Sequence, residues 1–136
     1  NQYLRKNNRS NLSSLMIAGV WIEGLYLSCK VYQYNPDPEL REAIGEQKIM
    51  ISDLMILLRN FENNPDFAKL IEGYDEIYEL FKQVKITYEQ GESTQEVIDG
   101  KLVIVQNRKS IVQISDELLE KIINKTIQTR NNLINL

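Results

Sequence analysis

The chain has no histidine, one cysteine, three prolines and six glycines among its 136 residues. The missing histidine excludes most, because that side chain supplies the majority of general bases near neutral pH and is the commonest metal ligand. Neither a Ser-His-Asp triad nor the Glu-x-x-His pairs of di-iron bundles can be assembled. Cys29 alone makes neither an internal disulfide nor a thiolate zinc site, and within its apolar run it reads as a buried thiol behaving as a small hydrophobe. Excess positive charge is also lacking. Sixteen Lys and Arg stand against 19 Asp and Glu, a formal net charge of -3, so nucleic acid and anionic lipid exert no general attraction. There is no Walker A stretch and no G-x-G-x-x-G. No catalytic residue, cofactor or metal is expected.

The densest apolar stretch, Leu15 to Cys29, falls short of the ~20 residues a bilayer crossing needs and contains Glu23, so no transmembrane span is expected. The chain begins at Asn1 and not at Met, which reads as a piece of something longer.

What the sequence does contain is the composition of one folded domain, 43% hydrophobic and 26% charged. Residues 1–9 are polar and rich in Asn, a loose lead-in. Apolar residues then recur three and four apart over residues 10–34, 38–61, 65–90 and 115–133, predicting four helices. Asp37-Pro38 and Asn64-Pro65 each place a capping residue before a proline at the first helical position, and Ser115 or Asp116 caps the last helix. Between helices three and four, over residues 96–114, the pattern changes. Asp99-Gly100 lies between two β-branched runs, which predicts a tight hairpin, and a second pairing across Gln106 to Lys109 would extend it to a meander. The short connections predict a mainly α fold, an up-and-down four-helix bundle with a small β-hairpin or meander between helices three and four, set over one end.

Helix one carries the candidate functional residues because it is apolar on nearly every side, whereas an outer helix of a bundle normally shows water one polar face. The surplus predicts a partner, either a missing part of the same parent chain or a homodimer mate. Ile17 and Trp21 are expected on the outward face, opposite Gly19 and Tyr26. Glu23, inside the apolar run, needs a partner or a wet outlet. Arg130 of helix four lies at its level and makes a candidate structural ion pair. A competing arrangement gathers Glu23, Tyr26 and Gln47 into one polar layer lining a cavity, as in a small-ligand receptor or weak enzyme. Gly19, Gly24 and Gly45 interrupt helices where glycine is unfavourable, and they are expected to mark close helix approach.

Four segments, SLMIAGVWIEGLYLSCK, IGEQK, IDGKLVIV and ISDELLEKIINKTIQTRNNLI, together resemble a group of uncharacterised exported helical-bundle lipoproteins of gut-type anaerobic bacteria. The resemblance implies an extracytoplasmic location, periplasm or cell surface, and further residues upstream. It implies no catalytic or binding residue. The function expected is a non-enzymatic binding or scaffold domain acting through helix one or the hairpin end.

Overall fold

A computed structural model describes residues 2–135. Its elements run α1 (Gln2–Tyr34), α2 (Pro38–Arg59), α3 (Pro65–Phe81), β1 (Lys85–Ile98), β2 (Lys101–Gln113) and α4 (Asp116–Ile134). The protein is mainly α, with an antiparallel sheet between α3 and α4. Asn1 and Leu136 lie outside the described residues.

Local chemistry sets three of the helix starts. The Asp37 carboxylate accepts from the backbone N–H of Leu40 at 3.2 Å, the Asn64 side chain from that of Asp66 at 3.0 Å, and the Ser115 hydroxyl from that of Leu118 at 3.1 Å. Each satisfies an amide that the first helical turn would otherwise leave unpaired. Pro38 and Pro65 sit just inside α2 and α3, where a missing N–H costs nothing. The polar lead-in, expected to be loose, is instead helical from Gln2 and forms the first turns of α1.

Helix three is shorter than its sequence period suggests. Val84 and Tyr88 continue the three- and four-residue spacing of Ile77 and Phe81, yet α3 stops at Phe81 and the backbone becomes extended at Lys85. Spacing alone misleads there: Ile86, Thr87 and Tyr88 favour a pleated backbone and find partners in Val112, Ile111 and Ser110. The hairpin therefore spans residues 85–113, well beyond the expected 96–114. β2 is continuous through the segment where a second turn was expected, so the sheet is a two-stranded ribbon. Asp99 and Gly100 turn it with positive φ values of 53° and 74°, the conformation an Asp-Gly hairpin turn demands. A register shift between Gln90 and Ser93 marks a bulge beside Gly91.

The four helices share one core. Ala18, Ile22, Leu25 and Cys29 of α1 meet Ile44, Ile51, Met55 and Leu58 of α2, Tyr74, Ile77 and Phe81 of α3, and Leu119, Ile122 and Ile123 of α4. α1 and α3 each pack on both α2 and α4. The hairpin is fastened at its base. Arg41 of α2 donates to Asp116 Oδ1 and to the Ile114 carbonyl, both at 2.5 Å, Lys48 donates to the Val84 carbonyl at 2.5 Å, and the Ser110 hydroxyl donates to Glu46 at 2.8 Å. Beyond Tyr88 every residue of β1 is exposed, so the ribbon stands off the helices as an arm.

Glycine marks close approach at Gly45, as expected, and also at Gly73, but not at Gly19 or Gly24. A methyl group on Gly19 or Gly24 would meet open space, whereas one on Gly45 would collide with the Val112 side chain, and one on Gly73 would sit 2.9 Å from Thr129 Cγ2. Gly45 seats the hairpin base on α2, and Gly73 lets α4 close on α3.

Candidate functional site

α1 presents two apolar faces. The inner one holds Ala18, Ile22, Leu25 and Cys29, all buried. Burial pushes the Cys29 thiol up to about 12, so it stays protonated and inert, with the Thr126 hydroxyl beside it opposing the rise. Thr126 Oγ1 is itself buried without a hydrogen bond of ordinary geometry. The Tyr74 hydroxyl crosses the core from α3 to donate to the Ala18 carbonyl at 2.6 Å, and burial raises its pKa as well.

The outer face is also apolar, and within the described structure it packs against nothing. Met16 is 62% exposed, Ile17 53%, Val20 74%, Leu27 55% and Val31 56%. Leu12 and Tyr34 extend the strip toward its two ends, and Gly19 and Gly24 lie bare within it. Scattered apolar residues on a surface are ordinary, but a continuous strip of this length along one helix is not. Arg9–Tyr34 is long and apolar enough by length and composition to cross a membrane, which the shorter Leu15 to Cys29 stretch had hidden.

Trp21 does not belong to that outer face. It turns inward, its ring 5.8 Å from that of Tyr74, and its indole N–H donates to Gln47 Oε1 at 3.0 Å. An indole buried beside an apolar core needs an acceptor for its one N–H, and Gln47, the polar interruption in the seam of α2, provides it. Ile17 is outward, as its exposure records.

Glu23 and Arg130 form a bidentate pair, Arg130 Nε to Glu23 Oε2 at 2.9 Å and an Arg130 terminal nitrogen to Oε1 at 3.1 Å. The guanidinium lies over the Tyr26 ring, 4.0 Å from its centroid. A planar cation held by a carboxylate at its edge and an aromatic face below is well matched to arginine and not to lysine. The Arg130 hydrogen bonds hold the Glu23 carboxyl below its ordinary value of 4.5, and Glu23 in turn raises Arg130. Glu23 keeps nearly half of its side chain in water, so the pair lies at the rim of α1 and α4, outside the core.

The polar layer of Glu23, Tyr26 and Gln47 is therefore not formed. Gln47 serves Trp21, while Glu23 and Tyr26 serve Arg130. A groove of about 580 Å³ lies elsewhere, between α3 and α4, and is bordered by Lys69, Glu72, Glu76 and Lys125. The Lys125–Glu76 ion pair at 2.9 Å ties its two walls together. A smaller groove of about 370 Å³ runs between α2 and the hairpin base, with Ile49, Met50, Ile86 and Tyr88 along it. Neither gathers groups that could act together on a substrate. Among the described residues no three Asp, Glu or Cys side chains are placed to hold a metal ion.

The exposed strip of α1 is thus the feature of the surface that most needs explaining, and the hairpin tip is second. Val97, Ile98, Leu102 and Ile104 all lie in water there, on both faces of the ribbon. Sequence reasoning found the surplus of apolar residues on α1 and put Ile17 on its outer face, but it misplaced Trp21 and did not single out Val20, Leu27 and Val31. The 3-4 spacing from Ile17 through Val20, Leu27 and Val31 to Tyr34 was the available signal.

No family model, curated protein or solved structure matches this chain.

Proposed function

We propose that the chain is an up-and-down four-helix bundle that serves as a non-enzymatic binding or scaffold domain, docking another protein on the outer face of α1. The bundle reading is supported by paired residues that run in opposite orders. Glu23 meets Arg130, while Tyr32 shares a groove with Leu119; Glu76 meets Lys125, while Gly73 faces Thr129.

The observation that carries the functional reading is the exposed apolar strip from Met16 to Val31. Burying an exposed Leu, Ile or Val side chain is worth on the order of 1–2 kcal/mol, so several in one strip give an association free energy of useful size. A membrane crossing by α1 fits less well, because its inner face packs on α2 and α4, whose own outer residues include Glu42, Asp53, Glu117 and Lys121. An α1 drawn into hydrocarbon would bring those charges with it. An extracytoplasmic location, suggested by the resemblance, is part of the proposal and is checked by fractionating cells that make the protein.

The test is a photo-reactive side chain placed at Val20 in those cells. A discrete protein adduct is the expected result, and a further one at Lys121, on α4, serves as the control that stays free. Equal labelling at both positions, or none at Val20, contradicts the reading.

A further inference from the structure

We infer that the occupant of the α1 face is a second copy of the same chain, bound with the two α1 helices antiparallel. This rests on the docking role proposed for that face. The outward positions Ile17, Val20, Gly24, Leu27, Val31 and Tyr34 are separated by three, four, three, four and three residues, and all six are exposed. That alternation keeps one seam in register with a second helix wound about it.

Orientation follows from what each arrangement would bring together. Ile17, Gly24 and Val31 take the first core position of the heptad, and Val20, Leu27 and Tyr34 the second. In a parallel pair like meets like: Gly24 faces Gly24 and leaves a hole at mid-seam, while Tyr34 crowds Tyr34. In an antiparallel pair first positions face second positions, so Ile17 meets Tyr34, Val20 meets Val31, and Gly24 receives Leu27, which fills the gap the glycine leaves. The flanking charges agree. Glu23 and Lys30 both precede a first core position, and in the antiparallel pair those flanks face each other, giving two Glu23 to Lys30 contacts between copies. In a parallel pair Glu23 would face Ser28 and Lys30 would face Asn35. Glu23 already receives Arg130, but a carboxylate has lone pairs for a further donor. The contact maps onto itself by a two-fold axis between Leu25 and Tyr26, the closed symmetry most homodimers use.

Cysteine cross-linking combined with sedimentation tests this. In a Cys29→Ala background, Ile17→Cys and Tyr34→Cys chains are mixed and oxidised, and circular dichroism confirms that each folds. The expected result is a covalent Ile17→Cys to Tyr34→Cys heterodimer and little disulfide from either chain alone. Sedimentation of the unmodified chain is expected to show a dimer, weakened about tenfold by Lys30→Glu. A monomer at all concentrations up to about 100 µM overturns the proposal. So does efficient linkage of Ile17→Cys to itself, which means a parallel pair, and so does a monomer that floats with phosphatidylglycerol–phosphatidylethanolamine vesicles. The Val20 adduct separates the two levels. An adduct of twice the chain mass supports both, an adduct of any other mass keeps the docking role while rejecting the second copy, and no adduct rejects both.

Discussion

Arg130 of α4 grips Glu23 of α1 through two hydrogen bonds at 2.9 and 3.1 Å while its guanidinium rests on the Tyr26 ring. The arrangement answers the problem posed by a carboxylate in an apolar helix by moving it to the edge of that helix, where water and a cation share it. Because the pair is half in water, its effect on stability is small and depends on salt. Glu23→Gln is expected to lower the melting temperature slightly and to change the pH profile in one direction. The folded carboxyl titrates below its ordinary value of 4.5, so the unfolded chain binds the extra proton first as pH falls. The contribution is complete above that ordinary value and is lost as pH drops through the lowered one. Thermal melts of the two chains between neutral and acid pH should converge at the acid end; a constant gap across the range contradicts this role.

The glycines should separate into two classes. Gly19→Ala fills open space in a helix and is expected to stabilise by up to about 1 kcal/mol through helix propensity alone. Gly45→Ala drives a methyl group into Val112 and is expected to cost about 1–3 kcal/mol, as overpacked sites do. Denaturant titration of both variants measures the difference, and equal effects would mean that the hairpin base does not sit on Gly45.

Thr126 offers a test of the core. Its hydroxyl oxygen is buried without a hydrogen bond, so Thr126→Val removes a desolvated polar group and is expected to be neutral or to stabilise by about 1 kcal/mol. A loss above about 1 kcal/mol in the same titration would mean that the hydroxyl has a partner, with the Cys29 thiol the nearest candidate.

The arm should be dispensable for folding. Beyond Tyr88 every residue of β1 is exposed, and a lone two-stranded ribbon adds little stability of its own. Replacing residues 91–106 with a short turn is expected to shift the melting temperature by less than about 3 °C. A collapse of the melt would show that the exposed tip residues Val97, Leu102 and Ile104 support the bundle.

How far the sequence can be read depends on whether a residue carries its own instruction. Asp37-Pro38, Asn64-Pro65, Ser115 and Asp99-Gly100 each fix a backbone event locally, and the helix starts and the hairpin turn follow from them. The end of α3 does not, because Val84 and Tyr88 suit a helix by spacing and a strand by pairing, and the pairing with Ser110 to Gln113 forms only in the fold. α1 is the harder case. A helix apolar on all sides has no polar face to reveal its rotation, so Trp21 could be assigned outward until Tyr74 and Gln47 fixed it inward. The same ambiguity assigned Gly19 and Gly24 close contacts that they do not make, while Gly73 was missed because its neighbour Thr129 lies far away in sequence.

The central claim is that the outer face of α1 is built for a partner and contributes nothing to its own bundle. The most direct measurement is a paired melt and sedimentation run on Val20→Glu/Leu27→Glu. The account predicts a melting temperature within about 3 °C of the unmodified chain measured as a monomer, together with complete loss of association. A melt that collapses would place those side chains in the protomer's own core, and association that survives two buried carboxylates would place the interface elsewhere; either result contradicts it.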